Sequence, residues 1–409
     1  MATTVDKAIT SELKTAVADE IAASRPRRLE SLDVVRGLTI AGMILVNNPG
    51  TWSAIYWPLQ HADELASEHP TGWYPGKWWV DANGWTPTDL IFPFFLFMVG
   101  VAMVLSFTAR QTRGDSRRKL FEHVVRRSAL ILAIGWFIHL QPYFNFSRMR
   151  YPGVLPRIAL VYLCASVITL WTARRGRMIW IAGLLAAYYT VLRFIPVPGC
   201  NPAGWMTQHC SLAGWLDRTI MLGHIYRPDF DPEGLLSTFP AIATTLLGTL
   251  TGEFLRSDGD LSRKVRGLSL AGAAGVAAGY AWHPFFPINK PLWTSSYVLF
   301  TAGAACLLLA LCLWLIEMRG WRAWSRPFVW LGTNAILAYA LSTFFAKEGF
   351  IFKVSEGAGV IGVQTWIYRH WFAPFARPIN ASLAFAVCYV ALWTLVAGWL
   401  YRKKIFVKV

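Results

Sequence analysis

The stretch WPLQHADELASEHPTGWYPGKWWVDANGW, residues 57–85, sets His61 and His69 among Asp63, Glu64, Glu68 and Asp81. It runs directly into TPTDLIFPFFLFMVGVAMVLSF, one of the most apolar runs in the chain. Histidine is the side chain whose ordinary pKa lies nearest neutrality, so it can take and return a proton at physiological pH. Oriented by a neighbouring group, it serves as a general base or a nucleophile. The spacing argues against a metal. The two histidines are eight positions apart, no HExxH pair shares a helix face, and no cysteine cluster accompanies them. Walker, GxGxxG and GxSxG motifs are absent as well. Chemistry on this chain therefore rests on histidine, carboxylate and amide groups acting on bound reactants.

Such groups need elements to position them. Of the 409 residues, 55% are hydrophobic and only 15% charged, against about 25% charge in a soluble domain. The apolar residues come in runs of roughly 20, the length that crosses about 30 Å of hydrocarbon, without the alternation of a barrel strand. The expected fold is all-α: a polytopic membrane protein with spans near 32–50, 88–108, 128–145, 153–173, 178–196, 235–255, 265–282, 294–316, 328–346 and 382–401. A weaker stretch at 357–375 carries Arg369 and His370 and reads as a re-entrant or interfacial helix. Residues 1–30 are polar and lack the apolar core of a cleavable signal peptide, so they read as a tail ahead of a transmembrane domain at 31–409 whose first span directs insertion.

Lys and Arg concentrate in alternate connections: the tail, RQTRGDSRRKLFEHVVRR, ARRGR, LRSDGDLSRKVRG, EMRGWRAWSRP and the terminal RKKIFVKV. By the positive-inside rule these and both termini are expected in the cytoplasm. That bias accounts for the net charge of +16 without nucleic acid. It places the loops 51–87 and 197–234 on the other side. Cys200 and Cys210 in the second loop are either a disulfide or two free thiols.

Polar residues inside spans are costly and mark cavities or partners. Asn47 closes the first span and Asp89 opens the second. Arg157 enters the fourth, Asp231 and Glu233 precede the sixth, and His283, Asn289 and Lys290 join the seventh to the eighth, which carries Ser295 near its start. All lie toward the non-cytoplasmic side. Each has a structural alternative: Asp89 also reads as a helix N-cap, and the tryptophans of 57–85 either stack on a ligand or anchor the interface. On the cytoplasmic side, Asp33 and Arg36 form an i,i+3 pair, and Asn334 lies in the ninth span.

Five motifs occur in order: SLDVVRGLTIAGMILVNNPG, NGWTPTDLIFPFFLFMVGVA, GVLPRIALVYL, DPEGLLSTFPAIATTLLG and FPINKPLWTSSYVLFTAG. Together they resemble the heparan-α-glucosaminide N-acetyltransferase family of the YeiB-like transmembrane acyltransferases, over roughly residues 29 to 403. The resemblance implies acetyl transfer from cytoplasmic acetyl-CoA to a glucosamine-type amine across the membrane, in a bacterial-type inner-membrane enzyme, with a homodimer as a further implication. It makes a histidine ahead of the NG-x-T-x-x-DL motif catalytic and places Asn47 near the acetyl group. The family reads HA-x-W-(N or H)-G without a gap, which puts that histidine four residues ahead of Asn83. Here Trp79 holds the ungapped position, so His61 is the choice across an insertion, with His69 in reserve. Pro156 stands where the family commonly has Gln.

The expected mechanism gives His61 the amine proton and Asn47 the developing oxyanion. Asp231 or Glu233 would orient His61 or bind sugar hydroxyls, and Asn83 would help shape the acceptor site. Direct attack and an acetyl-histidine intermediate both remain open. The CoA phosphates would meet Arg36 and the basic loops around Arg118 and Arg175. The competing class is a secondary transporter of a sugar, although no inverted repeat is evident.

Overall fold

The computed structural model describes residues 29–63, 84–201, 204–357 and 359–407. Its helices are α1 (Glu30–Asn47), α2 (Pro87–Gln111), α3 (Arg117–Leu140), α4 (Val154–Trp171), α5 (Arg174–Phe194), the short α6 (Leu212–Met221), α7 (Thr238–Arg256), α8 (Leu261–Trp282) and α9 (Ser295–Cys312). The last continues as a π-helical turn over Leu313–Met318. Then come α10 (Arg326–Thr333), α11 (Ala335–Ile351), the strands β1 (Lys353–Glu356) and β2 (Gly359–Gly362), α12 (Val363–Trp371) and α13 (Pro378–Arg402). Ser31–Val409 form one compact unit.

Among the described residues, five helices are long and apolar enough to cross a membrane: α2, α3, α4, α9 with its π-helical end, and α13. The bent pair α10–α11 makes a sixth if counted as one span. The segments expected near 32–50, 178–196, 235–255 and 265–282 are helices as well, with charge, threonine or glycine diluting their apolar content. The chain is a multi-pass helical membrane protein.

Three expectations need correction. The third segment begins well before 128, because Ser116 caps the basic turn ahead of it by accepting a hydrogen bond from the Lys119 amide at 3.3 Å. The ninth is not continuous: α10 and α11 meet at 85°. Asn334 stands at that break and uses its side chain to hold the C-terminal segment, donating to Ile405 O at 3.1 Å and accepting from Val407 N at 2.9 Å. The 357–375 stretch is not one helix either. It contains β2 of an antiparallel hairpin, registered Lys353↔Gly362, and the nine-residue α12. Gly357, with φ +59°, supplies the left-handed residue of the hairpin turn.

The helix that carries Asp89 is fixed by close packing. Against α7, a Cβ at Gly100 would stand 2.0 Å from Thr245 O, and one at Gly248 would stand 2.0 Å from Phe97 O. Small residues let membrane helices approach this closely, where van der Waals contact replaces a hydrophobic drive. Thr245 adds a hydrogen bond to Leu96 O at 3.1 Å. Leu96, Val161, Ala243, Leu246 and Tyr297 are buried around this contact. The N-terminal end of α2 thus has little freedom to tilt.

Candidate active site

The segment before α2 folds back onto that end. Thr88 Oγ1 donates to Pro58 O at 2.9 Å and Thr86 Oγ1 donates to Gln60 O at 2.6 Å. The Ala62 amide donates to Asp89 Oδ2 at 3.2 Å. These ties fix the backbone on both sides of His61. The His61 Nδ1 lies 2.7 Å from Asp89 Oδ1. Asp89 is buried, and its Oδ2 also accepts from the Thr86 amide at 2.9 Å, one half of a capping box. The N-cap of α2 is Thr86 and not Asp89, which stands at N3: one of its oxygens completes the capping box while the other holds the imidazole. An ionised carboxylate accepts only, so Nδ1 carries the proton and Nε2 is left as the basic nitrogen.

Lys290 arrives from the turn between α8 and α9. Asn289 Oδ1 accepts from the Leu292 amide at 2.9 Å, and Thr294 Oγ1 accepts from the Asn289 amide at 3.1 Å. Trp293, buried beside them, donates to Thr244 Oγ1 at 3.2 Å. So held, Lys290 Nζ lies 2.9 Å from Nδ1 and 3.0 Å from Nε2 of His61, and 3.7 Å from Asp89 Oδ1. Placed about equally near both ring nitrogens, the ammonium does not lie along the Nε2 lone pair. With His61 neutral, the charges of Asp89 and Lys290 cancel.

His61, Lys290 and Asn47 share the wall of a cavity of about 390 Å³, within the range of small-molecule sites, roughly 300–1,000 Å³. Trp52, Asp63, Gln208, Tyr226, Glu233 and Tyr339 complete much of it. Asn83 and His69 lie outside the described residues.

Asp231 and Glu233 do not orient His61. They clamp Arg150: Nε donates to Asp231 Oδ2 at 2.8 Å, and Nη2 donates to Asp231 Oδ1 at 2.6 Å and to Glu233 Oε2 at 2.5 Å. Burial works against the charges of Arg150 and Glu233. The Arg150 guanidinium nevertheless holds the Glu233 carboxyl below the usual range, and the two acids push Arg150 up. Arg150 also lines the cavity. Nothing in FSRMRYPG marked it, although two acids in one loop ahead of a span need a cation.

Arg157 supports the same loop from below. It is buried, donates to Gly234 O at 3.1 Å and to Ser237 Oγ, and stands 5.2 Å from the Trp293 ring centroid. His283 Nδ1 accepts from the Ile288 amide at 3.1 Å, and Ser295 Oγ donates to Leu185 O at 2.8 Å. These three brace the site and do not line the cavity.

Asp217 in α6 sits under Gly234. It is buried, and Oδ1 accepts from the Leu235 amide at 3.0 Å. Oδ2 has no hydrogen-bond partner among the described residues. Burial pushes its carboxyl up to about 7. A raised pKa means the folded state prefers the protonated form, so this group's contribution is complete below its unfolded value near 4 and is lost as pH rises through about 7. Asp217→Asn is expected to flatten the decline of thermal stability between those limits. At one pKa unit per about 1.36 kcal/mol, the difference at pH 8 is at most of the order of 4 kcal/mol. Parallel melting curves in detergent, with no pH-dependent gap between the two proteins, would refute it.

At the opposite end of the bundle, a second cavity of about 350 Å³ is lined by Arg117, Arg177, Arg256, Thr108 and Gln111 among others. Arg177 pairs with Glu253, and Arg256 donates to Thr108 Oγ1 at 2.6 Å. Arg118 is exposed and paired with Glu122 at 3.1 Å, and Arg175 is exposed. Neither lines this cavity. Arg36 lies 3.5 Å from Asp33 and donates to Gly332 O. It and Asn334 are engaged in holding α1, the α10–α11 break and the C-terminal segment. Cys200 and Cys210 are joined as a disulfide, with Cα atoms 5.6 Å apart.

The fold and site thus define a helical membrane protein whose buried carboxylate presents a histidine to a polar cavity at one end of the bundle. Residues 28–283 match the family model described as heparan-alpha-glucosaminide N-acetyltransferase, catalytic. The match covers more than half of the chain, and the chain belongs to that family. It is 27% identical to the heparan-alpha-glucosaminide N-acetyltransferase of Mus musculus over 95% of its length, and 27% identical to that of Homo sapiens over 94%. It spans 62% and 60% of those relatives, about three-fifths of their length.

Proposed function

We propose that this protein is a transmembrane N-acetyltransferase that moves an acetyl group from acetyl-CoA to the amine of a glucosamine-type sugar. The donor enters from the cytoplasm and the acceptor from the other face of a bacterial-type inner membrane. The observation that carries the reading is the pair His61–Asp89, 2.7 Å apart, opening on a cavity that Asn47 also lines. The relatives' names supply the acceptor class.

In this mechanism the amine nitrogen attacks the thioester carbonyl carbon. His61 Nε2 takes the proton that the nitrogen loses, and Asp89 holds Nδ1–H so that Nε2 faces the amine. The Asn47 amide donates to the oxyanion as it forms. Collapse re-forms the carbonyl, breaks the C–S bond and returns the proton from His61 to the departing thiolate. Lys290 and Asp89 form a neutral frame around an imidazole that becomes charged only in transit. The CoA phosphates meet the arginines of the far cavity, Arg117 and Arg256 foremost, since Arg177 is already paired.

The test is direct. Acetyl-CoA at about a hundred times its Kd should stabilise the purified protein by about 2.7 kcal/mol through linkage, and adding glucosamine should release CoA thiol. Stabilisation by sugar alone, with no response to acetyl-CoA, would replace this reading with a sugar transporter. Stable acetyl label on the protein in a single turnover without acceptor would replace direct attack with an acetyl-His61 route.

A further inference from the structure

The loop closed by the Cys200–Cys210 disulfide reaches the same cavity as His61. Its residue Gln208 lines the wall and donates through Nε2 to Asp63 Oδ2 at 3.0 Å. Asp63 is two residues beyond His61 and lines the cavity too. The two side chains come from loops 145 residues apart in sequence.

The backbone of Gln208 is held from several directions. The disulfide closes its loop. Arg218 donates to the neighbouring carbonyl, His209 O, at 2.9 Å and to Asp229 O at 2.7 Å. Gly214 packs so closely that a Cβ there would stand 2.2 Å from Gln208 O. A polar side chain on so constrained a base is presented in a fixed direction, and preorganisation of this kind lowers the ordering cost of binding.

The pair is only half satisfied. Beyond the bond between them, the Asp63 and Gln208 side chains have no hydrogen-bond partner among the described residues. That leaves a carboxylate oxygen, an amide oxygen and one amide N–H. Two acceptors and a donor side by side suit neighbouring hydroxyls, each of which both donates and accepts. Trp52, 57% exposed and also on the cavity wall, offers an apolar face to the ring that bears them.

We infer that Asp63 and Gln208 are a specificity-determining pair that reads the ring hydroxyls of the acceptor, and that the disulfide loop is the device that sets Gln208 in place. This rests on the acetyltransferase reading above. The amine of the acceptor meets His61, and its hydroxyl edge turns toward Asp63 and Gln208. Specificity of this kind arises because a sugar with a misplaced hydroxyl leaves the pair desolvated and unpaired.

The experiment compares D-glucosamine with its 4-epimer D-galactosamine as acceptors, following CoA thiol release. Gln208→Ala is expected to raise the glucosamine KM about tenfold, the worth of one or two hydrogen bonds, and to bring the two sugars' kcat/KM values together. Its kcat and its KM for acetyl-CoA should stay within about twofold of wild type, since the variant leaves His61 and the donor cavity untouched. Gln208→Glu, which keeps the size, serves if the alanine variant does not fold. Reduction of the wild type should raise the acceptor KM in the same direction, and a Cys200→Ser/Cys210→Ser double variant should show that higher KM and no further response to reductant. An unchanged acceptor KM and epimer ratio would overturn the proposal. So would an equal fall of kcat for both sugars, which would make the loop only a support for His61. If the wild type acetylates neither sugar although acetyl-CoA stabilises it, the amino-sugar reading itself fails along with the pair's role.

Discussion

His61→Ala is expected to slow acetyl transfer by about 10³–10⁴-fold, near the upper end for a lost general base, while acetyl-CoA still raises the melting temperature. The size follows from the chemistry. A sugar amine is largely protonated near neutral pH, and its nitrogen must shed a proton as the C–N bond forms. No other described histidine lines the cavity, and Lys290, held against Asp89, is a poor substitute as an ammonium. The fold should tolerate the change. The His61 side chain is 27% exposed, and the backbone around it is tied through Pro58, Gln60 and Ala62. Turnover within tenfold of wild type would remove His61 from the role. The test would then pass to His69, whose own alanine variant is otherwise expected to be active.

Asp89→Asn is expected to lower kcat by a comparable factor, on the order of 10³–10⁴, as removal of the carboxylate does in a Ser-His-Asp triad. The carboxamide can still accept at the Thr86 and Ala62 amides, so α2 should remain capped. Toward His61, however, it either presents N–H groups or turns its oxygen away from the cap. In the first case Nδ1 must accept, the proton moves to Nε2, and the basic nitrogen faces the wrong way. The charge of Lys290 is also left without its partner 3.7 Å away. An intact melting temperature with a collapsed kcat is the expected signature. A loss of both would make Asp89 a capping residue, and a rate within tenfold of wild type would show that His61 does not depend on it.

Much of this is legible in the amino-acid sequence. The apolar runs sit on helices, and the breaks that hydropathy does not show have two different causes. Asn334 leaves the α10 axis to hold residues 405 and 407, a contact across some seventy positions that hydropathy does not register. The hairpin at Lys353–Gly362 depends on Gly357 at positive φ, within a stretch whose average hydropathy resembled an interfacial helix. His61, Asn47 and Lys290 line one cavity. The pairing around it differs from expectation. In the sequence, Asp231 or Glu233 reads as orienting His61 or binding sugar hydroxyls; neither orients His61, because both clamp Arg150.

That difference marks the boundary between what the chain declares by itself and what folding decides. Composition, span length and the order of five motifs were enough for a helical membrane protein of an acetyltransferase-like family, because apolar length and local spacing are properties of contiguous residues. Which carboxylate holds the imidazole is a different kind of quantity. Asp89 and Asp231 carry the same group, and both lie toward the His61 end of the bundle. Only the packing of α2 on α7, with backbones in contact at Gly100 and Gly248, and the fold-back of residues 58–62 bring one of them within 2.7 Å of His61. Hydrogen bonding and charge pairing fall off over a few ångströms, so residues equivalent in sequence become unlike once the bundle closes.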